Sequence, residues 1–355
     1  MKLLFVTSTL SSGGTERVIS LLANELSKRG HQVGIVCLNH HIVFYPIDEQ
    51  VKVLFAEEEA KSTFIGKKML WLRKYVKSTR PDAVLPFMTD VYSVTLVSLI
   101  GLKNPVVSSE RYDPRASDSL YKTIRWLFLR LTTHLVVQTE DIKSCYSKAL
   151  QKRTTVIYNP VNEKVFEELA FPLEKQNKII SVGRLAPQKN FPMLIDAFAK
   201  VKADFPGYQL VIFGEGPLRE ELQSQIDRLN LSDSVLLAGR SNQVIEELRS
   251  AKLFCMSTNA EGMSNALIEA ICVGLPVITT NVSGAEELVE DGKTGFVTPI
   301  GDEAQLVVAL KKMLGNEALM KKMGEGNLQK RELFKLDTIA NEWETVINKV
   351  VNEKE

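Results

Sequence analysis

The chain has 355 residues, 45% hydrophobic and 25% charged, with a formal net charge of +1, the make-up of a soluble globular protein with room for two domains of roughly 150–180 residues. No apolar run reaches the ~20 residues needed to span a bilayer, Val94 to Leu102 being the best candidate, and the four cysteines (Cys37, Cys145, Cys255, Cys272) have no metal spacing, which excludes a membrane-embedded protein, a disulfide scaffold and a zinc module. The net charge hides an asymmetry: residues 1–158 carry 22 Lys or Arg against 14 Asp or Glu, or +8, and the remainder 22 against 29, or −7, so one half is suited to an anionic partner.

Met1-Lys2 leads directly into Leu3-Leu4-Phe5-Val6, which lacks a small-residue cleavage site and reads as a core strand rather than a signal peptide. A cytoplasmic protein is expected. Short apolar runs then recur at 3–7, 32–37, 51–55, 83–87, 106–109, 134–138 and 155–158 and predict strands. Between the first two, Val18, Ile19, Leu21, Leu22 and Leu26 form a helical stripe, and Gly30 is a helix stop. Asn159-Pro160 breaks the pattern, and 162–177 is polar without a period, so a domain boundary is expected near 160. A second set of strands follows at 179–182, 209–213, 235–237, 253–256 and 276–279, with helices starting near Phe191, Leu218, Val244, Asn265 and Ala285 and a last helix from about Leu336. Strand–helix alternation at this spacing predicts two α/β domains, 1–160 and 161–335, each a doubly wound parallel sheet binding ligands at the carboxyl ends of its strands.

Several patches at strand ends carry chemistry. Gly13-Gly14 precedes the first helix, where glycine admits a close backbone approach and the helix N-terminus offers N–H donors; Thr15 is a candidate cap and Arg17 is placed to reach an acceptor phosphate. Lys61 to Arg80 holds seven basic residues and no acid, interleaved with Phe64, Ile65, Met69, Leu70, Trp71, Leu72, Tyr75 and Val76. That is the pattern of a basic amphipathic helix on an anionic membrane surface, and 121–130 is a second candidate with a core helix as the equal alternative. No nucleic-acid recognition motif accompanies the charge, so nucleic acid is not expected. Gly183-Arg184-Leu185 with Lys189 sets two cations in a turn after a strand, a suitable place for a diphosphate. Gly214-Glu215-Gly216-Pro217 lacks the third glycine of a dinucleotide fingerprint and reads as a tight turn. In Glu261-Gly262-Met263-Ser264-Asn265-Ala266-Leu267-Ile268-Glu269, one carboxylate precedes a helix and the other lies one to two turns inside it, with Ser264 or Asn265 near the N-cap. The helix start suits a diphosphate, and the two carboxylates suit hydroxyls of a sugar and a ribose.

With Gly13-Gly14, Gly183-Arg184 and Lys189, Gly214-Glu215-Gly216 and the spaced pair Glu261 and Glu269 in this order, the chain resembles the retaining nucleotide-sugar glycosyltransferases of family 4 over nearly its whole length. Among them it is similar in kind to bacterial enzymes that extend lipid-linked oligosaccharides, the amylovoran-synthesis type included. The resemblance implies the GT-B fold, two Rossmann-like domains facing a cleft, with the last helix (about 336–355) returning to the N-terminal domain. It implies a UDP-sugar donor, with Arg184 and Lys189 stabilising the leaving diphosphate, Glu269 on the ribose and Glu261 on the donor sugar or on charge developing at the anomeric carbon. It further places the backbone of Gly262, Met263, Ser264 and Asn265 at the distal phosphate, Gly183, Gly214 and Arg240 around the donor, and Gly13 and Gly14 at a phosphate or the transferred sugar. The acceptor half is the N-terminal one, where a polyprenyl-diphosphate-linked saccharide and the inner face of the cell membrane are the implied partners. Many relatives carry a histidine after a strand ending in Ser-Glu; here Val106-Val107-Ser108-Ser109-Glu110 is followed by Arg111. No general base is therefore assigned, and Glu110 and Arg111 are candidate acceptor contacts with Thr15 and Arg17. The chain contains no Asp-x-Asp, so no metal and no cofactor is expected. The rival readings are a soluble enzyme of the same fold acting on a free sugar, sugar phosphate or glucan, and a non-catalytic nucleotide-sugar-binding partner in an assembly complex. A dehydrogenase fails for want of a complete glycine fingerprint.

Overall fold

Apolar runs too evenly hydrophobic to show one polar face are the mark of strands covered on both sides, and every ladder among the described residues of the computed structural model is parallel. Residues 1–39, 42–116, 125–167 and 174–353 are described. They divide into unit 1, Met1–Pro160 with Lys335–Glu355, and unit 2, Val161–Phe334.

Unit 1 holds β1 (Lys2–Thr7), β2 (Gln32–Cys37), β3 (Lys52–Phe55), β4 (Ala83–Pro86), β5 (Val107–Ser109), β6 (His134–Val137) and β7 (Thr154–Val156). Two ladders, β3-β2-β1-β4 and β5-β6-β7, are joined by the bridges Val84–Val106 and Phe87–Ser109. Side chains alternate along β1. Leu3 and Phe5 pack with Val18, Ile19 and Leu22 of the first helix (Gly14–Lys28), while Leu4 and Val6 pack with Leu72 and Val76 of the helix Ile65–Thr79. The last helix, Leu336–Asn352, buries Leu336, Ile339, Ala340, Trp343, Val346, Ile347 and Val350 on a single stripe. That stripe joins the core of the first helix, with the Trp343 ring stacked 5.5 Å from that of Phe87. Arg29 donates to Asn341 and pairs with Asp337 and Glu344, and His31 meets Glu344 at 2.7 Å, which fixes the helix in register.

Unit 2 holds β8 (Lys178–Val182), β9 (Gln209–Phe213), β10 (Val235–Gly239), β11 (Leu253–Met256), β12 (Val277–Thr280) and β13 (Gly295–Thr298), in the order β10-β9-β8-β11-β12-β13. The order reverses between β8 and β11, the place where open α/β sheets leave a crevice at the carboxyl ends of their strands. Ile179, Leu210 and Ile212 pack under the helices Phe191–Lys202 and Glu303–Leu314. In this unit β13 and the α-helices Glu303–Leu314 and Glu317–Leu328 lie outside the predicted set. No helix among the described residues is long and apolar enough to cross a membrane.

Candidate active site

The reversal point of unit 2 gathers the cations after β8 and the first carboxylate after β11. Lys189 and Glu261 form an ion pair, each side chain 15% exposed. Gln188 holds the other oxygen: its Nε2 donates to Glu261 Oε2 at 3.1 Å and to the Ala260 carbonyl at 2.6 Å. The two loops are laced together behind this pair. Asn259 N–H donates to the Gln188 carbonyl at 2.8 Å, Asn190 Nδ2 to Asn259 Oδ1 at 3.0 Å, and Ser257 Oγ to the carbonyls of Lys189 and Asn190 at 3.0 Å. Asn190, at φ 48°, turns the chain into the helix Phe191–Lys202, a left-handed position that asparagine tolerates. Gln188, Asn190, Ser257 and Asn259 are not among the sequence candidates. Arg184 is exposed in the same turn, and no protein acceptor among the described residues engages its guanidinium.

The glycines after β8 and β9 serve a close crossing of two backbones. Gly183 N–H donates to the Phe213 carbonyl at 2.9 Å and Leu185 N–H to that of Glu215 at 3.0 Å. Gly214 has φ +139°, and a Cβ there would lie 1.9 Å from the Gly183 carbonyl oxygen. Only glycine fits. The dinucleotide alternative for this turn has no support in that geometry. Arg240 is exposed directly after β10, where Gly239 accepts from Gly214 N–H at 2.8 Å.

Ser264 is the N-cap of the helix Asn265–Cys272, its hydroxyl accepting from Leu267 N–H at 3.4 Å. Met263 and Ser264 are buried, and Glu269, just past the first turn, is 4% exposed. Its charge is felt by Cys272, whose thiol pKa is pushed up by burial first and by Glu269 second.

In unit 1 the first helix is capped by Gly13, not by the predicted Thr15, because helical geometry already begins at Gly14. The Glu16 carboxylate folds back over Gly13, where a Cβ would stand 2.0 Å from Oε2, and accepts from Thr9 Oγ1 at 3.0 Å. Thr15 and Arg17 lie in the first turn, both partly exposed. Glu110 offers no surface to an acceptor. It is fully buried, bound by Thr89 Oγ1 at 3.0 Å, Tyr92 OH at 2.9 Å and Arg125 Nε at 3.0 Å, with the N–H groups of Arg111 and Tyr112 on Oε1. Burial raises its pKa against the pull of Arg125. Arg111 is buried beside it.

The basic segments are less uniform than their sequence. At the N-cap and along the helix Ile65–Thr79, Phe64, Ile65 and Leu70 are exposed, but Lys68 is buried, donating to Asn39 Oδ1 at 2.6 Å and pairing with Glu57 at 3.3 Å. In the second segment, Tyr121 to Ile124 lie outside the described residues. Trp126, Leu127 and Leu131 are exposed and Arg130 stacks 3.9 Å over the Trp126 ring. Arg125, expected on the basic face, is instead the buried partner of Glu110.

Two family models match the chain: glycosyl transferases group 1 over residues 162–330 and glycosyltransferase family 4 over 12–165. It is 29% identical, over 99% of both chains, to the Campylobacter jejuni protein named GalNAc-alpha-(1->4)-GalNAc-alpha-(1->3)-diNAcBac-PP-undecaprenol alpha-1,4-N-acetyl-D-galactosaminyltransferase. It is 25% identical to the amylovoran biosynthesis glycosyltransferase AmsD of Erwinia amylovora, over 98% of this chain and 99% of that one. Among solved structures, Anabaena HepE in complex with UDP aligns with a TM-score of 0.81 at 18% identity, covering 98% of this chain and all of the other. Sucrose-phosphate synthase of Thermosynechococcus elongatus aligns with a TM-score of 0.85 at 16% identity, over 99% and 100% of the two chains.

Proposed function

We propose, for a chain that belongs to glycosyltransferase family 4 and has its GT-B fold, a retaining transfer of a hexose or N-acetylhexosamine from a UDP-sugar to a polyprenyl-diphosphate-linked saccharide. That the protein is a glycosyltransferase of bacterial lipid-linked glycan assembly follows from its family and relatives; the donor, the stereochemistry and the acceptor are our reading. The observation that carries it is the meeting of Lys189 and Glu261 at the reversal point of unit 2, one arriving after β8 and the other after β11.

Glycosyl transfer breaks the bond between the anomeric carbon and the β-phosphate oxygen and leaves a diphosphate with an added negative charge. Arg184, exposed and able to hold two oxygens, and Lys189, a point charge, neutralise it with the helix start at Gly262–Asn265. Three such positive groups serve where other enzymes place a divalent ion, so the reaction runs without metal. The acceptor hydroxyl attacks the anomeric carbon on the face the diphosphate leaves, and its proton passes to the departing phosphate oxygen, which keeps the α configuration without an enzyme nucleophile. Glu261, fixed by Lys189 and Gln188, stabilises positive charge growing at the anomeric carbon or holds a sugar hydroxyl. Glu269 takes the ribose hydroxyls, and Arg240 lies beside the base. The basic helix with its exposed Phe64, Ile65 and Leu70, and the Trp126–Leu131 stretch, rest on the anionic inner face of the cell membrane, where such an acceptor resides.

The test is thermal stabilisation by UDP-, GDP-, ADP- and dTDP-sugars with EDTA present, since binding to the folded state alone raises the melting temperature. A shift confined to UDP-sugars and lost in Glu269→Ala and Arg184→Ala is expected. No shift with any of them overturns the donor assignment.

A further inference from the structure

Arg111 is a buried cation that unit 1 leaves partly uncompensated. It is 8% exposed, Nη1 donates to Asn159 Oδ1 at 2.7 Å, and the guanidinium carbon lies 4.7 Å from the Phe87 ring centroid and 5.9 Å from that of Trp343. Nε and Nη2 are buried and meet no acceptor among the described residues. These two donors share one edge of the guanidinium, the fork that takes two oxygens of a single carboxylate or phosphate. The neighbouring carboxylate does not fill it, because Glu110 is engaged by Arg125, Thr89 and Tyr92. Two guanidinium groups therefore share one buried carboxylate. Burial pulls the pKa of Arg111 down to about 9, only Glu110 opposing, and at neutral pH the charge remains.

The surroundings are unsatisfied in the same way. Ser109 Oγ, at the end of β5, and Gln138 Oε1, just after β6, are buried and meet no partner among the described residues, and Gln138 Nε2 donates to the same Asn159 oxygen at 2.8 Å. Met88, after β4, holds φ 78° and ψ 153°, a region reserved for glycine, with its N–H on the Ser109 carbonyl at 2.9 Å. Strain and unpaired buried polar atoms persist together where a ligand uses the site. They stand at the carboxyl ends of β4, β5 and β6, the ligand edge of such a sheet.

We propose that Arg111 is the centre of a built anion site that takes one phosphate or carboxylate group of the acceptor on its Nε–Nη2 edge. The word acceptor rests on the function proposed above; anion binding at Arg111 does not, and its test needs no transferase activity. The measurement is the melting temperature of full-length Arg184→Ala, which weakens the anion site assigned to unit 2, titrated at constant ionic strength with inorganic phosphate or with glucuronate. One of the two raises it by about 2 °C or more, roughly what a ligand well above its Kd gives a chain of this size. Phosphate alone points to a phosphorylated acceptor and glucuronate alone to a carboxylated sugar. Adding Arg111→Met abolishes the shift and leaves the ligand-free melting temperature unchanged or about 2–4 °C higher, since an uncompensated buried charge is gone. The proposal is overturned by no shift with either anion, by equal shifts with and without Arg111, or by a fall in the ligand-free value, which makes the guanidinium a structural brace. Should Arg111→Met not fold, Arg111→Lys replaces it: an anion affinity weakened fivefold or more supports the fork, and an unchanged affinity overturns it.

Discussion

The charged groups of the two units sit in opposite environments. In unit 2, Arg184 is exposed and Lys189 and Glu261 pair at the rim of the β8–β11 reversal. In unit 1, Glu110 and Arg125 are buried against each other. A rim charge keeps part of its hydration and is free to act on a ligand, whereas a fully buried charge must be answered by other groups or it weakens the fold. Similar residue types therefore do different work, and substitutions separate them.

The largest effect is expected in unit 1. Glu110→Gln removes the carboxylate paired with Arg125, and breaking a buried pair in this way costs about 3–5 kcal/mol, read from urea unfolding of the purified protein. In unit 2, Lys189→Ala and Glu261→Ala each lower kcat by about 10²–10³-fold, the size of one lost electrostatic donor at a developing charge, while the unfolding midpoint moves little. If Lys189→Ala destabilised the protein as much as Glu110→Gln, the contrast between rim and interior would collapse. Gln188→Ala lies between them. It removes one hydrogen bond to Glu261, a charge-assisted contact worth about 1.5–3 kcal/mol, and lowers kcat about tenfold with KM for the donor nearly unchanged. A mainly KM effect would mean that Gln188 acts on the donor and not through Glu261. Smallest are the surface cations of the basic helix: Lys67→Ala or Lys74→Ala weakens binding to vesicles containing anionic lipid by about 1 kcal/mol each, and less at high salt. Co-sedimentation measures this, and binding to neutral vesicles equal to that on anionic ones would remove the membrane face from the account.

The same contrast explains what could be read from the sequence. Strands covered on both faces are continuous apolar runs ended by glycine or a polar turn, so most of the thirteen strands among the described residues were visible to within a residue or two. β13 was hidden because Gly295-Phe-Val-Thr is short and follows the polar turn Glu290–Thr294. The meeting of Lys189 with Glu261 was legible because each lies in a short turn after an apolar strand. The lacing that positions Glu261 was not, since Gln188, Asn190, Ser257 and Asn259 bond largely to backbone, which leaves no mark on composition. In unit 1 the reading erred on Arg125, taken for a surface cation because it lies in a basic stretch. Nothing local signals that a carboxylate fifteen positions earlier, just after the end of β5, is its partner.

The most direct test of the central claim is transfer from a UDP-N-acetylhexosamine or UDP-hexose to a synthetic undecaprenyl-diphosphate-linked saccharide, with EDTA throughout and the new linkage read by proton NMR. The account predicts an α-linked product at full rate without metal, lost in Arg184→Ala and Glu261→Ala. A β-linked product, or activity that appears only when a divalent ion is restored, would contradict it.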